Sequence, residues 1–194
     1  EIKPHGGMLR YPAVSSTHIA FCYANRLWMV PREGGLASPL AAPPGAPMLP
    51  RFRPDGKAIA FAANYEGGRD IYTLPIEGGI PFRVTHHPSN ELLSAWLPDG
   101  RLIFSASIEG LSRQSQLYTV SEKGGIPTRL PVPYGALASL SSDGRRLAYT
   151  PHTVDFATWK RYMGGMQTDI WLFDLQTRKS KRITDWEGVD TAPM

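Results

Sequence analysis

One spacing constrains this chain more than any other feature. Asp55-Gly56, Asp99-Gly100 and Asp143-Gly144 recur at intervals of 44 and 44 residues, each between short apolar runs. An Asp-Gly pair flanked in this way is a strong hairpin signal, because both residue types tolerate positive φ. A bulky residue precedes each turn (Phe52, Trp96, Leu140), again 44 apart, and an apolar run follows at Ala58 to Phe61, Leu102 to Phe104 and Leu147 to Tyr149. A second, stricter element is β-branched and aromatic: Asp70-Ile71-Tyr72-Thr73-Leu74, Gln116-Leu117-Tyr118-Thr119-Val120 and Asp169-Ile170-Trp171-Leu172-Phe173. An earlier copy is Arg26-Leu27-Trp28-Met29-Val30. Gly-Gly follows three of the four copies, at Gly34-Gly35, Gly78-Gly79 and Gly124-Gly125; the fourth has Leu175-Gln176-Thr177. Thirteen residues after the start of each such strand a last segment begins, at Pro39-Leu40, Arg83-Val84-Thr85, Arg129-Leu130-Pro131 and Arg182-Ile183-Thr184.

The unit is therefore four short strands in a meander, and 194 residues hold about 4.4 units of 44. A four-stranded unit of roughly 40–50 residues is a β-propeller blade. A single small twisted sheet has two apolar faces and cannot bury them alone, so blades stack around an axis. The expected fold is all-β, with antiparallel four-stranded blades over residues 8–45, 46–89, 90–134 and 135–189 of a single propeller region, 1–194. Residues 190–194 read as the first strand of a further blade, which leaves the ring incomplete unless the chain oligomerises. The first strand of each blade is expected to line the axis, around Arg51, Ser94 and Ser139.

Composition agrees. Glycine (19) and proline (18) make up about a fifth of the chain, against roughly 12 % on average, which a helical bundle would not tolerate. The 42 % hydrophobic and 10 % aromatic content excludes disorder. No apolar run approaches a membrane span, and no secretory leader is visible at Glu1, so a cytoplasmic protein without membrane contact is expected. The net charge of +4 is scattered. The basic run Arg178, Lys179, Lys181, Arg182 reads as a solvated edge strand rather than a nucleic-acid surface. Cys22 is the single cysteine; with Ile19, Ala20, Phe21 and Tyr23 around it, it reads as a small buried apolar residue.

The fourth unit breaks the metre. From Leu140 to Asp169 is 29 residues, against 18 from Phe52 to Asp70, so about ten extra residues separate its second and third strands. The insertion, Val154 to Met166, contains Trp159, Lys160, Arg161 and Tyr162, whose aromatic and basic character suits stacking or carboxylate contacts with a peptide or partner. Phe156, Trp159 and Tyr162, spaced by three, equally suit a helical turn that plugs one face of the propeller.

Signs of catalysis are missing. No Gly-x-Ser-x-Gly elbow, phosphate loop, dinucleotide fingerprint or calcium loop occurs, so no catalytic, cofactor-binding or metal-binding residue is assigned and no cofactor is expected. Neighbouring strand residues point to opposite faces, so His86-His87 makes a poor metal pair and reads as a loop between blades. Asp55, Asp99 and Asp143 are explained by their turns.

The Pro-Asp-Gly turn, the aromatic strand and the Gly-Gly turn together resemble the propeller repeats of TolB and of tricorn-type proteases. Two stretches favour tricorn: Met8-Leu9-Arg10-Tyr11-Pro12-Ala13 leading to Leu27-Trp28-Met29-Val30-Pro31-Arg32-Glu33-Gly34-Gly35, and Thr158-Trp159-Lys160-Arg161-Tyr162-Met163-Gly164-Gly165 running into Asp169-Ile170-Trp171. Nearly the whole chain resembles the N-terminal propeller of that family. Arg53 departs from the pattern, standing where such repeats usually carry Ser. The resemblance implies a large homo-oligomeric serine peptidase that trims peptides, with a six-bladed and a seven-bladed propeller gating entry and exit. Its catalytic residues are expected far C-terminal, beyond a PDZ domain, and none maps onto this chain. The expected role is a non-catalytic module that gates or docks peptides, with self-association of the chain. The alternatives are a TolB-like interaction propeller, which would be periplasmic, and a structural or engineered repeat fragment that closes a ring by assembly.

Overall fold

The computed structural model describes residues 8–40, 45–109, 114–152, 164–165 and 167–194. Sixteen strands form four antiparallel sheets of four, each a meander in chain order. The first holds β1 (Arg10–Val14), β2 (His18–Tyr23), β3 (Arg26–Pro31) and β4 (Ser38–Pro39). The second holds β5 (Met48–Phe52), β6 (Ala58–Ala63), β7 (Asp70–Pro75) and β8 (Phe82–Arg83). The third holds β9 (Leu92–Trp96), β10 (Arg101–Ala106), β11 (Gln116–Ser121) and β12 (Thr128–Arg129). The fourth holds β13 (Leu137–Leu140), β14 (Arg146–Thr150), β15 (Trp171–Asp174) and β16 (Ser180–Arg182). No α-helix occurs among the described residues. The all-β reading with four-stranded blades is thus borne out.

Local chemistry explains the meander. At the Asp-Gly turns the amide of Gly56 donates to the Arg53 carbonyl at 2.8 Å, closing a turn with Pro54 as its second residue. Gly56, Gly100 and Gly144 all take positive φ, but the aspartates before them do not. The expected reason for Asp is corrected accordingly. Its carboxylate accepts the amide two residues on, at 2.9 Å from Lys57 to Asp55, 3.1 Å from Arg101 to Asp99 and 3.0 Å from Arg145 to Asp143. Hydrogen bonds from the Arg53, Arg101 and Ser141 side chains, with these amides adding to them, hold all three carboxyls below the usual range. At the Gly-Gly turns both glycines are left-handed, with φ of 92° and 126° at Gly78 and Gly79. The fourth blade lacks them. There Arg178 takes φ 58°, while the Asp174 carboxylate accepts the amides of Gln176 and Thr177 at 2.9 and 2.7 Å.

The thirteen-residue offset is a register. Trp28 faces Pro39, Tyr72 faces Arg83, Tyr118 faces Arg129 and Trp171 faces Arg182 across the third and fourth strands of each sheet.

Stacking of the sheets makes three apolar cores. Along β6, Ile59, Phe61 and Ala63 pack toward the first sheet, and the alternate residues Ala60 and Ala62 toward the third. Along β10, Leu102, Phe104 and Ala106 face the second sheet, while Ile103 joins Leu147, Tyr149 and Phe173 of the fourth. Period-two side-chain alternation thus buries both faces of each inner sheet. All six residues of β6 are buried, and five of the six in β10. The outer sheets are covered on one side only. In β2, only Ala20 and Cys22 are buried; Ile19 and Phe21, with Trp28 opposite Phe21, stay half-exposed on the other face. The four sheets do not close into a ring.

Candidate functional site: the axial strands and the insertion-bearing face

The innermost strands β1, β5, β9 and β13 pack against one another in succession and so line the axis. Their charged residues are Arg10 and Arg51, with no Asp or Glu. Arg51 ties two blades together. Its Nε donates to the Ser94 carbonyl at 2.8 Å and its Nη1 to the Pro50 carbonyl at 2.9 Å. The Trp96 indole donates back to the Arg51 carbonyl at 2.8 Å. Burial pushes the guanidinium pKa down, and it has no carboxylate partner among the described residues. Among the described residues its hydrogen-bond partners are backbone carbonyls. Of the expected axial residues the structure joins Arg51 to Ser94, while Ser139 is half-buried on β13 and bonded to neither.

In an antiparallel meander, every connection from second to third strand leaves the sheets at one end. Trp159, Lys160, Arg161 and Tyr162, like Phe156, lie outside the described residues. The strand ends they connect, Thr150 of β14 and Trp171 of β15, open on that end, together with the β2–β3 turn and the β6–β7 connection.

A buried polar latch occupies this end of the second blade. Asp70, fully buried, accepts from the Arg83 Nη2 at 2.8 Å, and Arg83 also pairs with Glu66. The Arg83 Nε donates to the Thr85 carbonyl at 3.0 Å. The Thr85 hydroxyl accepts the Ile71 amide at 2.9 Å and donates to the Glu91 carboxylate. The amide of Glu91 donates to the Arg69 carbonyl at 2.9 Å. Burial raises the Glu91 pKa to about 7, with Asp70 adding to the rise. Asp70 is raised too, burial outweighing Arg83. One oxygen of each carboxyl, Asp70 Oδ1 and Glu91 Oε1, is buried without a partner among the described residues.

The fourth blade repeats the latch at the same spacing. Arg182 pairs with Asp169 at 2.9 Å and donates to the Thr184 carbonyl at 2.7 Å. The Thr184 hydroxyl accepts the Ile170 amide at 3.0 Å, and the Asp190 amide donates to the Thr168 carbonyl at 2.9 Å. Asp70, Arg83, Thr85 and Glu91 therefore correspond to Asp169, Arg182, Thr184 and Asp190. This correspondence was visible as a shared offset of 0, 13, 15 and 21 residues, a signal the strand pattern alone did not pick out. The latch ties the third strand to the chain segment entering the next blade, so its role is to hold blades in register.

Among the described residues the histidines form no catalytic pairing. His87 Nδ1 accepts the Ser89 amide at 3.0 Å in the β8–β9 connection, where His86 is exposed. His152 is bonded to the Gln114 side chain at 2.7 Å, and burial pushes its pKa down. No group of three potential metal ligands occurs among the described residues. No helix among them is long and apolar enough to cross a membrane.

Radially stacked four-stranded meanders with their first strands on a shared axis define an open β-propeller. The sequence matches the family described as the tricorn protease N-terminal beta propeller domain over residues 6–194, and the chain belongs to that family. It is 30 % identical over 174 residues to tricorn protease homolog 1 of Streptomyces coelicolor, an alignment covering 84 % of this chain and 16 % of that protein. The fold superposes on the crystal structure of the tricorn protease with a TM-score of 0.79 and 25 % identity, over 94 % of this chain and 19 % of that one. A TolB protein from Agrobacterium tumefaciens gives a TM-score of 0.73 at 20 % identity, over 92 % of this chain and 62 % of its own.

Proposed function

We propose that this chain is a non-catalytic part of a tricorn-type serine peptidase, in which the propeller docks or gates peptides for a protease core outside the chain. The observation that carries this reading is the charge of the axial strands, which hold Arg10 and Arg51 and no carboxylate. A cationic, partly desolvated lining attracts the carboxylates of peptides and discriminates against cationic ones. Two measurements on the purified chain test it. Acidic peptides should bind, with affinity falling as salt rises through 0.1 M, where the screening length is about 10 Å. Fluorogenic peptides should not be hydrolysed. Salt-independent binding or hydrolysis by the chain alone would overturn the reading. A TolB-like protein-interaction propeller is the second reading, favoured by the fold likeness; a protease core downstream in the same reading frame would exclude it.

The half-exposed faces of the outer sheets support a second element of the proposal. The chain on its own associates through them, because Ile19, Phe21 and Trp28 form an apolar face that the inner blades cover in each other. Light scattering should give a mass above that of a 21.4 kDa monomer, and a monomeric soluble chain would refute self-association.

A further inference from the structure

A groove of about 590 Å³ runs between the second and third sheets, at the end that carries the Asp-Gly and Gly-Gly turns and opposite the latch. Its floor is the outer corner of the second sheet. There Ala58, Thr73, Pro75 and Phe82 continue the face that Ala60, Ala62 and Val84 bury against the third sheet. The third sheet stops short of this corner, so Phe82 stays 51 % exposed and the neighbouring Ile80 93 %. Glu122 and Lys123, of the β11–β12 turn, make the far wall. Arg53 spans the groove, its Nη1 3.2 Å from Glu122 and its Nε 2.9 Å from Asp55. The ammonium groups of Lys57 and Lys123 make no hydrogen bond or ion pair among the described residues, and Lys57 lies only in the longer-range field of Asp55.

Internal repetition shows that the fold requires neither the exposed ring nor the free cations. The position of Phe82, one residue before the partner of the third-strand aromatic, is Ser38 in the first sheet, Thr128 in the third and Lys181 in the fourth, all exposed. The matching groove between the third and fourth sheets has Thr128 in place of Phe82 and Arg101 in place of Lys57. Arg101 pairs there with Asp99 at 2.8 Å, and Arg129 with Glu109 at 2.7 Å, so two of its three arginines are already neutralised. A large exposed apolar side chain beside unpaired ammonium groups is therefore particular to one groove. Exposed apolar surface rimmed by polar residues marks a surface that binds.

We propose that this groove docks a short acidic segment of a partner protein, one bulky apolar side chain resting on Phe82 and Ile80 and its acidic neighbours reaching Lys57 and Lys123. The volume lies within the range of roughly 300–1,000 Å³ that holds a small ligand, so it takes a few residues of chain and not a folded face. Three cations face one carboxylate across the lining, and Arg53 already holds that carboxylate. The surplus is positive and complementary to Asp and Glu. Glu122 in the wall opposes the continuous phosphates of a nucleic acid, and a floor recessed between two sheets is not presented to a flat lipid surface. The groove stands on the outer corner of the blades, away from the axial strands, so this inference is independent of the axial docking reading.

The experiment is calorimetric titration of the full chain with a peptide, acetylated and amidated at its ends, in which a leucine–phenylalanine pair is flanked by aspartates. It should bind, and Phe82→Ser should weaken it about tenfold, the scale of truncating a central contact residue. Lys57→Gln with Lys123→Gln should weaken it by about the same factor and flatten its salt dependence. Arg10→Gln, on the axial strands, should leave it unchanged. Phe82 and Ile80 are exposed, so melting temperatures should not move, and Ile80→Ser carries the comparison if Phe82→Ser melts earlier. Weaker binding in Arg10→Gln with none lost in Phe82→Ser overturns the groove and leaves axial docking standing. Equal binding of a peptide with serines for the apolar pair, or with lysines for the aspartates, also overturns the proposal. Displacement of the peptide by a DNA duplex or by phosphatidylserine vesicles overturns the assignment to a protein segment. Absence of binding at millimolar peptide overturns the site itself.

Discussion

Glu91 makes the stability of this fold depend on pH in a direction opposite to that of the turn carboxylates Asp55, Asp99 and Asp143. Its side chain is fully buried, one oxygen accepts from Thr85 and the other has no partner among the described residues. Burial raises its pKa from 4.5 to about 7. Below 4.5 the group is protonated in both folded and unfolded chains and has no effect on the difference between them. As pH rises toward 7 the unfolded chain ionises first, and stability is lost until the folded form ionises as well. A shift of about 2.5 units at 1.36 kcal/mol per unit makes that loss about 3 kcal/mol. Glu91→Gln keeps an acceptor for Thr85 but cannot ionise. The stability of Glu91→Gln minus that of wild type, from urea unfolding at pH values from 4.5 to 8, should therefore rise by about 3 kcal/mol and level off above pH 7. The subtraction cancels Asp55, Asp99 and Asp143, whose depressed pKa values destabilise both proteins alike at acid pH. A difference that does not change with pH, or that falls as pH rises, would refute the argument.

Three further outcomes follow from packing. Phe104→Ala removes a ring sealed between the second and third sheets and should lower stability by about 3–5 kcal/mol in denaturant titration. Gly135→Ala would place a methyl 2.4 Å from Leu117 Cγ and should destabilise by about 1–3 kcal/mol, whereas a neutral result would mean that the entry into the fourth blade yields freely. Leu36, Ile80 and Ile126, each after a Gly-Gly turn and at least 91 % exposed, should tolerate serine with melting points nearly unchanged, within about 0.5 kcal/mol.

Much of the architecture was legible in the sequence because turns and register are local. The Asp-Gly and Gly-Gly pairs mark chain reversals within a few residues, and the thirteen-residue offset fixes which residue faces which across the third and fourth strands. The role of Asp in the turns was misread, since positive φ and side-chain capping favour the same residue type. The latch was legible in principle, because Asp70, Arg83, Thr85 and Glu91 repeat at matching offsets, but only two of the four blades carry it. The groove beside Phe82 was not legible. It joins residues from Arg53 to Lys123, and the Arg53–Glu122 contact across it spans 69 positions of sequence that no local pattern announces.

The uneven burial of the four sheets also has a kinetic meaning. Where each unit touches only its neighbours, stability is shared between a unit and its interfaces, and a unit with one interface opens more easily than one with two. Amide protons in β6 and β10 should therefore exchange slowest, near the rate of global unfolding. Those of β2 and β14 should exchange through smaller openings that leave the centre intact. The chain would then loosen from its ends inward, with the second and third blades as its last cooperative unit.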